Sequence, residues 1–395
     1  MTKEPNDPKT IATTTGETAA AAPSRRRFLK AGGVAAGAAA ATVAFPQVSR
    51  AQTVTWRFQS TWPARDIFHE IAAEYVKMVG QLSGGRLKLD LLPAGAVVGA
   101  LQMQDAVIAG ALDGGHGVTA YWYGKNKAYS LFGTPPSFGW QANEMLGWFY
   151  YGGGEALYNE LVHDILKLDL VGFLNFPMPN QPLGWFKKVI TSADQMRNMK
   201  YRTVGLAADV MREMGVAVTI LGGGDIVPAI DRGLIEGAEF NNPSSDRLLG
   251  FPDVSKVWML QSYHQAAECF EIIFNRTKFN ALPEELRAVL RYAAYANSAD
   301  MSWRIQDRYT ADLGEMREKQ GVQTYKTPDS VLEAQLQAWD KVIETLSKDP
   351  YFKKVIDSQK TWNERVVAYF LDNEASQEKA YTHFFGKGKR GLLST

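Results

Sequence analysis

Three polar residues stand where strands and loops of a predicted α/β fold end. Gln181 lies in the segment NQPLGWF (180–186), Arg202 in KYRTVG (200–205) and Glu239 in EGAEFNNP (236–243). An amide, a guanidinium and a carboxylate in such positions could bind a polar ligand, and the glutamate could also act as a general base. The sequence therefore offers two hypotheses of different class, a binding protein and an enzyme that uses Glu239.

The signatures of metal, nucleotide and nucleophile chemistry do not support the enzyme hypothesis. The five histidines are scattered, without HExxH or HxxxH spacing. The glycine triplets at 152–154 and 222–224 match neither a phosphate-binding loop nor a GxGxxG fingerprint, and no GxSxG elbow occurs. Cys269, between Glu268 and Phe270 in a predicted strand, fits a small buried apolar residue better than a nucleophile.

Composition narrows the choice of partner. The chain has 395 residues, enough for two or three compact units at about 150 residues per domain. It has 43 Lys and Arg residues against 42 Asp and Glu residues, so no basic field is available to bind nucleic acid. A single cysteine excludes an intramolecular disulfide and a cysteine-rich metal site.

The first 51 residues have the pattern of a twin-arginine export signal. Residues 24–30 (SRRRFLK) precede an apolar, alanine-rich run of about 15 residues, which is shorter than the ~20 needed for a membrane-spanning helix. Ser49 and Ala51 are small residues at the positions that a signal peptidase reads, which predicts cleavage after Ala51. Because no later segment has 18 consecutive apolar residues, we expect a mature protein in the periplasm.

The rest of the chain alternates short strands with helices, twice. Strands are predicted over residues 53–59, 87–92, 170–175, 185–188, 200–204, 218–221 and 237–240, and helices over 67–82, 101–111, 207–214 and 226–232. This alternation is typical of βαβ units with a largely parallel sheet. Two such sets predict two α/β domains with a cleft between them.

Two helical regions follow. A helix from Pro283 to about Gln320, with a break allowed near Gly314, is long enough to bridge both domains. The tail over 328–385 carries two apolar stripes that need a cover, either the chain's own domains or a second copy. The first stripe consists of Trp339, Val342, Ile343 and Leu346, and the second of Trp362, Val366, Val367, Phe370 and Leu371.

From about Val54 to Gln320 the sequence resembles the solute receptors of tripartite ATP-independent periplasmic (TRAP) transporters, and within them the receptors for 2-oxo acids. The segments NMKYRTVG (198–205) and GGDIVPAIDRGLIEGAE (223–239) carry the resemblance, together with the strand after the signal. The resemblance implies a non-enzymatic receptor that closes around a small organic acid and delivers it to membrane subunits.

The resemblance also implies roles for five residues. Arg202 would bind the substrate carboxylate, a contact that suits its planar guanidinium, and Gln181 would also contact the substrate. Glu239, the backbone carbonyl of Phe240 and the side-chain oxygen of Gln265 would hold a cation that bridges to the substrate. Oxygen ligands with a single carboxylate suit Na⁺ or Ca²⁺ and argue against zinc. The alternatives are a surface arginine beside Asp209 and a solvent-facing Gln181.

The resemblance implies a two-domain periplasmic-binding-protein fold with a helical C-terminal extension. We expect domain I over residues 52–176 and about 267–305, domain II over 177–266 and about 306–325, and a candidate dimerisation element over 326–395. The aromatic residues of domain I could close over the ligand's carbon skeleton; these are Trp62, Tyr121, Trp122 and Tyr123.

Departures from the family pattern leave the ligand open. Phe240 replaces the usual tryptophan, and Pro177, Met178 and Pro179 replace small residues ahead of Gln181. One alternative keeps the receptor fold but binds a polyol or a sulfonate through Asn241 and Asn242 without a cation. The alternative from another class is an exported enzyme acting on a small carboxylate.

Overall fold

The computed structural model describes residues 53–389, 391 and 393. The predicted export signal at 1–51 lies outside these residues. The strands are β1 (Val54–Ser60), β2 (Leu87–Leu92), β3 (Gly114–Gly117), β4 (Leu170–Met178), β5 (Gly184–Phe186), β6 (Lys200–Arg202), β7 (Ala217–Thr219), β8 (Gly237–Ala238), β9 (Val257–Leu260), β10 (Glu268–Asn275) and β11 (Gln323–Lys326).

The helices complete the element list. They are α1 (Ile67–Leu82), α2 (Met103–Ile108), α3 (Ala142–Tyr151), α4 (Gly154–Asn159), α5 (Leu206–Glu213), α6 (Gly223–Asp231), α7 (Pro243–Leu249), α8 (Phe251–Val254), α9 (Arg276–Asn280), α10 (Glu284–Gln320), α11 (Asp329–Leu346), α12 (Pro350–Asn373) and α13 (Gln377–Phe385). Short 3₁₀ segments include Thr119–Trp122 and Lys127–Phe132, and Glu160–Ile165 is a π-helix. Within the described residues, no helix combines the length and the apolar character needed to cross a bilayer.

The strands form two sheets, which confirms the two-set α/β architecture. Sheet A has five strands in the order β2-β1-β3-β10-β4, and sheet B has six in the order β11-β9-β5-β8-β6-β7. The largely parallel arrangement that the sequence predicts is only partly correct, because β10 runs antiparallel to β3 and β4, and β5 runs antiparallel to β8 and β9. Both β5 and β10 directly follow a passage of the chain from one sheet to the other, so they enter their sheets from the opposite end.

Helix α10 bridges the two sheets in one uninterrupted run of 37 residues, about 55 Å long at 1.5 Å per residue. Two glutamates in its first turn complement the helix dipole, and Gly321, with φ of 70°, ends it. Its first half packs on α1, where Tyr75 donates a hydrogen bond to Leu290 O at 3.0 Å. Its second half contacts α7 through the Arg247–Asp312 ion pair, 2.9 Å. The break allowed near Gly314 does not occur.

The C-terminal helices α11 and α12 pack on helical segments that belong to different sheets. Helix α11 packs on α5, and the Trp339 indole donates to Tyr263 O at 2.7 Å. Helix α12 lies against residues 127–132 and α3, with Gln359 Nε2 donating to Leu131 O at 2.7 Å. The first apolar stripe therefore packs back onto the chain itself. The second stripe is only partly covered, because Leu371 is 75% exposed.

Candidate functional site

Two segments at 179–183 and 261–267 carry the chain between the sheets and lie side by side. Strands β4 and β10 are antiparallel neighbours with Glu268 opposite Met178, so the segment after β4 meets the segment before β10. The backbone N–H of Gln181 donates to the backbone oxygen of Gln265 at 3.2 Å, and the side-chain Nδ2 of Asn180 donates to Ser262 O at 2.9 Å. This arrangement brings Gln181, Gln265 and Glu268, which are distant in sequence, to one place.

A β-bulge marks the end of β4 beside this crossing. Cys269 lies opposite Pro177 and Phe270 opposite Asn175, which leaves Phe176 as the extra residue. Phe176 has a φ of 51°, which is unusual for a bulky residue, and its amide donates to Ser298 Oγ at 2.8 Å. A bulge bends its strand and changes the direction of the side chains beyond it, so β4 leaves its sheet here towards Gln181.

Sheet B contributes the charged pair. Strands β6 and β8 are parallel with Arg202 opposite Ala238, so Arg202 at the end of β6 and Glu239 just after β8 meet at the same sheet edge. Arg202 Nη1 lies 2.9 Å from Glu239 Oε1 and 3.2 Å from Glu239 O. The pair excludes the alternative that Arg202 is a surface arginine beside Asp209.

The Arg202–Glu239 ion pair is almost completely buried, with both side chains 1% exposed. Arg202 also donates through Nε and Nη2 to Leu221 O, at 2.9 and 2.7 Å, which fixes the guanidinium plane. Burial raises the pKa of Glu239 to about 6, although the charge of Arg202 opposes this shift. Near neutral pH the pair carries opposite charges in a dry site, where an unpaired charge would be costly.

Glu268, which the sequence arguments did not select, is a second carboxyl group of the site. Its Oε2 accepts hydrogen bonds from Gln181 Nε2 and from Asn241 Nδ2, the latter at 2.5 Å. Burial raises the pKa of Glu268 to about 8, and the negative charge of Glu239 raises it further. A signal for it was present in the sequence, because residues 268–275 (ECFEIIFN) place charged residues in an otherwise apolar strand.

These residues line one small, tightly packed cavity. All five residues named by the resemblance face it. Its lining consists of Trp62, Phe68, Val118, Tyr121, Gln181, Arg202, Val204, Glu239, Phe240, Asn241, Gln265 and Glu268. Residues from both sheets' layers contribute, so the cavity lies where the two α/β sets meet. Gln181 is 2% exposed, which excludes a solvent-facing role in this form.

The four aromatic residues expected over the ligand divide into two pairs. Trp62 and Tyr121 line the cavity, as expected. Trp122 instead turns into the core, where its indole donates to Glu271 Oε2 at 2.6 Å. Tyr123 lies outside the cavity and its hydroxyl donates to Asp209 Oδ2 at 2.6 Å.

The two asparagines of the polyol alternative also differ in role. Asn241 lines the cavity and contacts Glu268. Asn242 caps α7 instead, because its Oδ1 accepts from the amides of Ser244 and Ser245 at 3.0 and 2.9 Å. Of the two asparagines only Asn241 therefore lines the cavity, and its side chain is already hydrogen-bonded to Glu268 and, through Oδ1, to Asn242 Nδ2 at 2.9 Å.

The oxygen atoms that line the cavity are suitable ligands for a hard cation. Gln181 Oε1 is a buried oxygen without a hydrogen-bond partner, and besides Arg202 the Glu239 carboxylate has, within the described part of the chain, only the Thr203 hydroxyl, whose hydrogen bond lowers the pKa of Glu239. Oxygen donors of this kind are the ligands that Na⁺ and Ca²⁺ prefer. Among the residues that the structure describes, no group of three or more His, Cys, Asp or Glu side chains could hold a metal. A cation here would therefore depend on amide and backbone oxygens as well as carboxylates.

Comparison with known proteins identifies the family. Residues 58–353 match the model of the bacterial extracellular solute-binding protein family 7. The chain belongs to this family. A monocarboxylate 2-oxoacid-binding periplasmic protein from Nostoc sp. is 31% identical over 333 residues, which span 82% of this chain and 88% of the relative.

Solved structures of TRAP solute-binding proteins share the fold. One from Bordetella bronchiseptica, a mixed-occupancy dimer with calcium and picolinate, has a TM-score of 0.78 at 27% identity and covers 84% of this chain and 97% of its own. Another from Pseudoalteromonas atlantica, with sodium and pyruvate, has a TM-score of 0.77 at 28% identity and covers 85% and 100%. The predicted two-domain TRAP receptor fold and extracytoplasmic class are confirmed, and the family consists of solute receptors.

Proposed function

We propose that this family 7 receptor binds a 2-oxo acid or a related small carboxylate in the cavity, together with a Na⁺ or Ca²⁺ ion, and delivers it to TRAP membrane subunits. The observation that carries the proposal is the buried Arg202–Glu239 pair beside an oxygen without a partner, Gln181 Oε1. The similar proteins that bind pyruvate with sodium and picolinate with calcium support the same ligand class.

In this proposal each residue has a separate task. Arg202 supplies the fixed positive charge, and its guanidinium, held by Leu221 O, presents N–H groups to the ligand carboxylate. Glu239, the Phe240 carbonyl and Gln265 would hold the cation, and Gln181 would contact the ligand. Turning the Glu239 carboxylate towards a cation would free Arg202 Nη1 for a bidentate contact with the ligand.

A thermal-shift screen tests the proposal. The mature protein, residues 52–395, is heated with 2-oxo, 2-hydroxy, dicarboxylic and pyridine carboxylic acids, each with and without CaCl₂ or NaCl. Binding raises the melting temperature by mass action, so at least one acid should stabilise the protein in a cation-dependent way. Stabilisation by polyols or sulfonates alone would contradict the proposed carboxylate site.

We also propose that the receptor has no catalytic activity. The Glu239 carboxylate is held by Arg202, which supports a binding role over that of a general base. NMR spectra of the stabilising acid after long incubation should show it unchanged. Conversion of the acid by wild type, lost in Glu239→Gln, would instead support the enzyme alternative.

Three further proposals concern the organisation of the chain. We propose domain I over 52–176 and about 267–305, and domain II over 177–266 and about 306–325, which assigns almost all of sheet A to the first and sheet B to the second. We propose export by the twin-arginine pathway, which Arg25→Lys with Arg26→Lys should abolish, leaving the precursor in the cytoplasm.

The third proposal is a homodimer formed through the C-terminal end, residues 326–395. Large apolar side chains are exposed here, an arrangement that usually marks an interface. They are Tyr369, Phe370, Leu371, Tyr381, Phe384 and Phe385. Light scattering should give a dimeric mass for wild type and a monomeric mass for Leu371→Glu with Phe384→Glu; a monomeric wild type would refute the dimer.

A further inference from the structure

The cavity contains one more carboxyl group, that of Glu268, than the residues implied by the family resemblance provide. Arg202 contributes one positive charge, whereas Glu239 and Glu268 contribute two negative charges when both are ionised. A bound monocarboxylate would add a third negative charge. A buried site is stable only when its charges are nearly balanced, so the second carboxyl group changes which cation can complete it.

We propose that Glu268 is a further anionic ligand of the cation site and makes this receptor select a divalent cation over a monovalent one. The inference rests on the proposed function, because it assumes that a cation occupies the cavity. With Glu239, Glu268 and a monocarboxylate ionised beside Arg202, a divalent ion brings the total charge to zero. A monovalent ion would leave one negative charge uncompensated.

The hydrogen bonds of Glu268 leave one oxygen available for such a contact. Gln181 Nε2 and Asn241 Nδ2 both donate to Oε2, and none of the hydrogen bonds among the described residues uses Oε1. Both amide donors line the same cavity as the carboxyl group. They fix the orientation of the Glu268 carboxyl group but leave the hydrogen-bonding capacity of its Oε1 unused.

Two further oxygen ligands are available in the same cavity. Gln181 Oε1 has no hydrogen-bond partner and is shielded from water, and the Glu239 carboxylate has only Arg202 and the Thr203 hydroxyl as partners among the residues that the structure describes. The Gln181 side chain can contact both Glu268 and a cation, because its Nε2 donates a hydrogen bond to Glu268 while its Oε1 accepts none. Carboxylate and amide oxygens in this combination are typical Ca²⁺ ligands, and affinity for Ca²⁺ rises with the number of charged ligands.

The electrostatics of the site support the same conclusion. The two causes that raise the pKa of Glu268, burial and the charge of Glu239, are both offset by a positive ion placed between the carboxyl groups. A divalent ion offsets them more strongly than a monovalent ion does.

Titration calorimetry with the metal alone tests the inference. CaCl₂ and NaCl are titrated separately into wild-type receptor, Glu268→Gln, Glu268→Asp and Glu271→Gln, in a choline chloride background. The glutamine keeps an acceptor oxygen for Gln181 and Asn241, so it removes charge with little change of shape. Glu271, a buried carboxyl group on the same strand outside the cavity lining, is the matched control.

We expect wild type to bind Ca²⁺ at least about tenfold more tightly than Na⁺. Glu268→Gln should weaken Ca²⁺ binding about tenfold or more and change Na⁺ binding by less than about threefold. Glu268→Asp should retain part of the preference, and Glu271→Gln should retain all of it. Circular dichroism confirms that each variant is folded.

An unchanged ratio of Ca²⁺ to Na⁺ affinity in folded Glu268→Gln overturns the inference, as does the absence of Ca²⁺ binding to wild type. Neither result depends on an organic acid. Failure of the proposed function would appear elsewhere, as the absence of any stabilising carboxylate in the thermal-shift screen.

Discussion

Glu268 and Glu271 are buried carboxyl groups three residues apart on β10, yet their surroundings differ. Each Glu271 oxygen has one donor from the aromatic core, the Tyr158 hydroxyl on Oε1 and the Trp122 indole on Oε2. Glu268 receives both of its donors on Oε2, from amides that line the cavity. Burial raises the pKa of both groups, to about 7 for Glu271 and about 8 for Glu268.

The difference shows that a raised pKa alone does not identify a functional carboxyl group. A carboxyl whose oxygens are both satisfied by rigid core groups stabilises the fold and has no capacity for a ligand. A carboxyl group such as that of Glu268, which accepts side-chain amide hydrogen bonds on one oxygen only, retains the capacity to bind a ligand. We therefore expect changes around Glu268 to alter binding and changes around Glu271 to alter stability.

The largest effect is expected for Arg202→Ala on the cavity side. Removing one partner of a buried pair leaves Glu239 uncompensated, which should lower the free energy of unfolding by about 3–5 kcal/mol. The affinity for the stabilising acid should fall at least about 100-fold. Chemical denaturation and calorimetry measure the two quantities.

Arg247→Ala is the control for Arg202→Ala. Arg247 also forms an ion pair, with Asp312 at 2.9 Å, but does not line the cavity. Its loss should leave ligand affinity unchanged. Equal affinity losses in the two variants would mean that Arg202 acts through stability and not through contact with the ligand.

The second largest effect is a dependence of the free energy of unfolding on pH, caused by Glu271 in the protein core. The pKa of Glu271 is raised from 4.5 to about 7, so the folded protein holds this proton more tightly than the unfolded chain does. The corresponding stability is fully present below pH 4.5 and is lost as the pH rises through 7. The loss has an upper limit of roughly 3 kcal/mol.

Urea denaturation from pH 4.5 to 8.5 measures this dependence. Glu271→Gln cannot titrate, so it should show a shallower decline of stability with pH than wild type. Cation affinity should change in the opposite direction, rising with pH as Glu239 and Glu268 lose their protons. A wild-type slope retained in Glu271→Gln would assign the pH dependence to other carboxyl groups.

A smaller effect is expected for Tyr158→Phe, which removes one donor from Glu271 and leaves a buried acceptor without its partner. We expect a loss of about 1–3 kcal/mol in the free energy of unfolding. Ligand and cation affinities should not change, because Tyr158 does not line the cavity. Any change in the Ca²⁺ to Na⁺ ratio would break the distinction between the two carboxyl groups.

The smallest effect is expected outside the cavity lining, where Asp209 accepts from Tyr123 at 2.6 Å and from Lys127 at 3.0 Å. Lys127 is 43% exposed, so its ion pair should contribute less than about 1 kcal/mol. Asp209→Asn should raise the ligand dissociation rate by less than about fivefold. Stopped-flow fluorescence measures this rate, and a tenfold or larger increase would place the Asp209 contacts among the main determinants of binding.

Much of the fold follows from local sequence pattern. The helix over 67–82 and the strand over 87–92 occur with the predicted bounds, because periodicity and the Gly84-Gly85 turn define both ends. The directions of β5 and β10 could not be predicted, since they depend on where the chain re-enters each sheet. Periodicity reports which face of a strand is buried, but not which way the strand runs.

Local sequence pattern also fails to predict the parts of the site that depend on contacts between distant residues. Arg202 and Glu239 could be selected because they end strands that point to one sheet edge. The charged residues in the apolar strand 268–275 mark Glu268 as unusual, but not as part of the site, because that role depends on Gln181 and Asn241, 87 and 27 residues away. Trp122 and Tyr123 were wrong as ligand contacts, since the 3₁₀ turn over Thr119–Trp122 directs neighbouring side chains to different sides of the molecule.

The connection between α11 and α12 limits how far the two surfaces on which these helices pack can separate. Helix α11 is anchored to α5 beside sheet B, and α12 to residues 127–132 beside sheet A. Only residues 347–349 join them, which allows a span of about 14 Å when fully extended. We expect this short link to restrict any opening for solute entry on its side of the molecule, so that bulky acids are rejected by slow association as well as by poor fit.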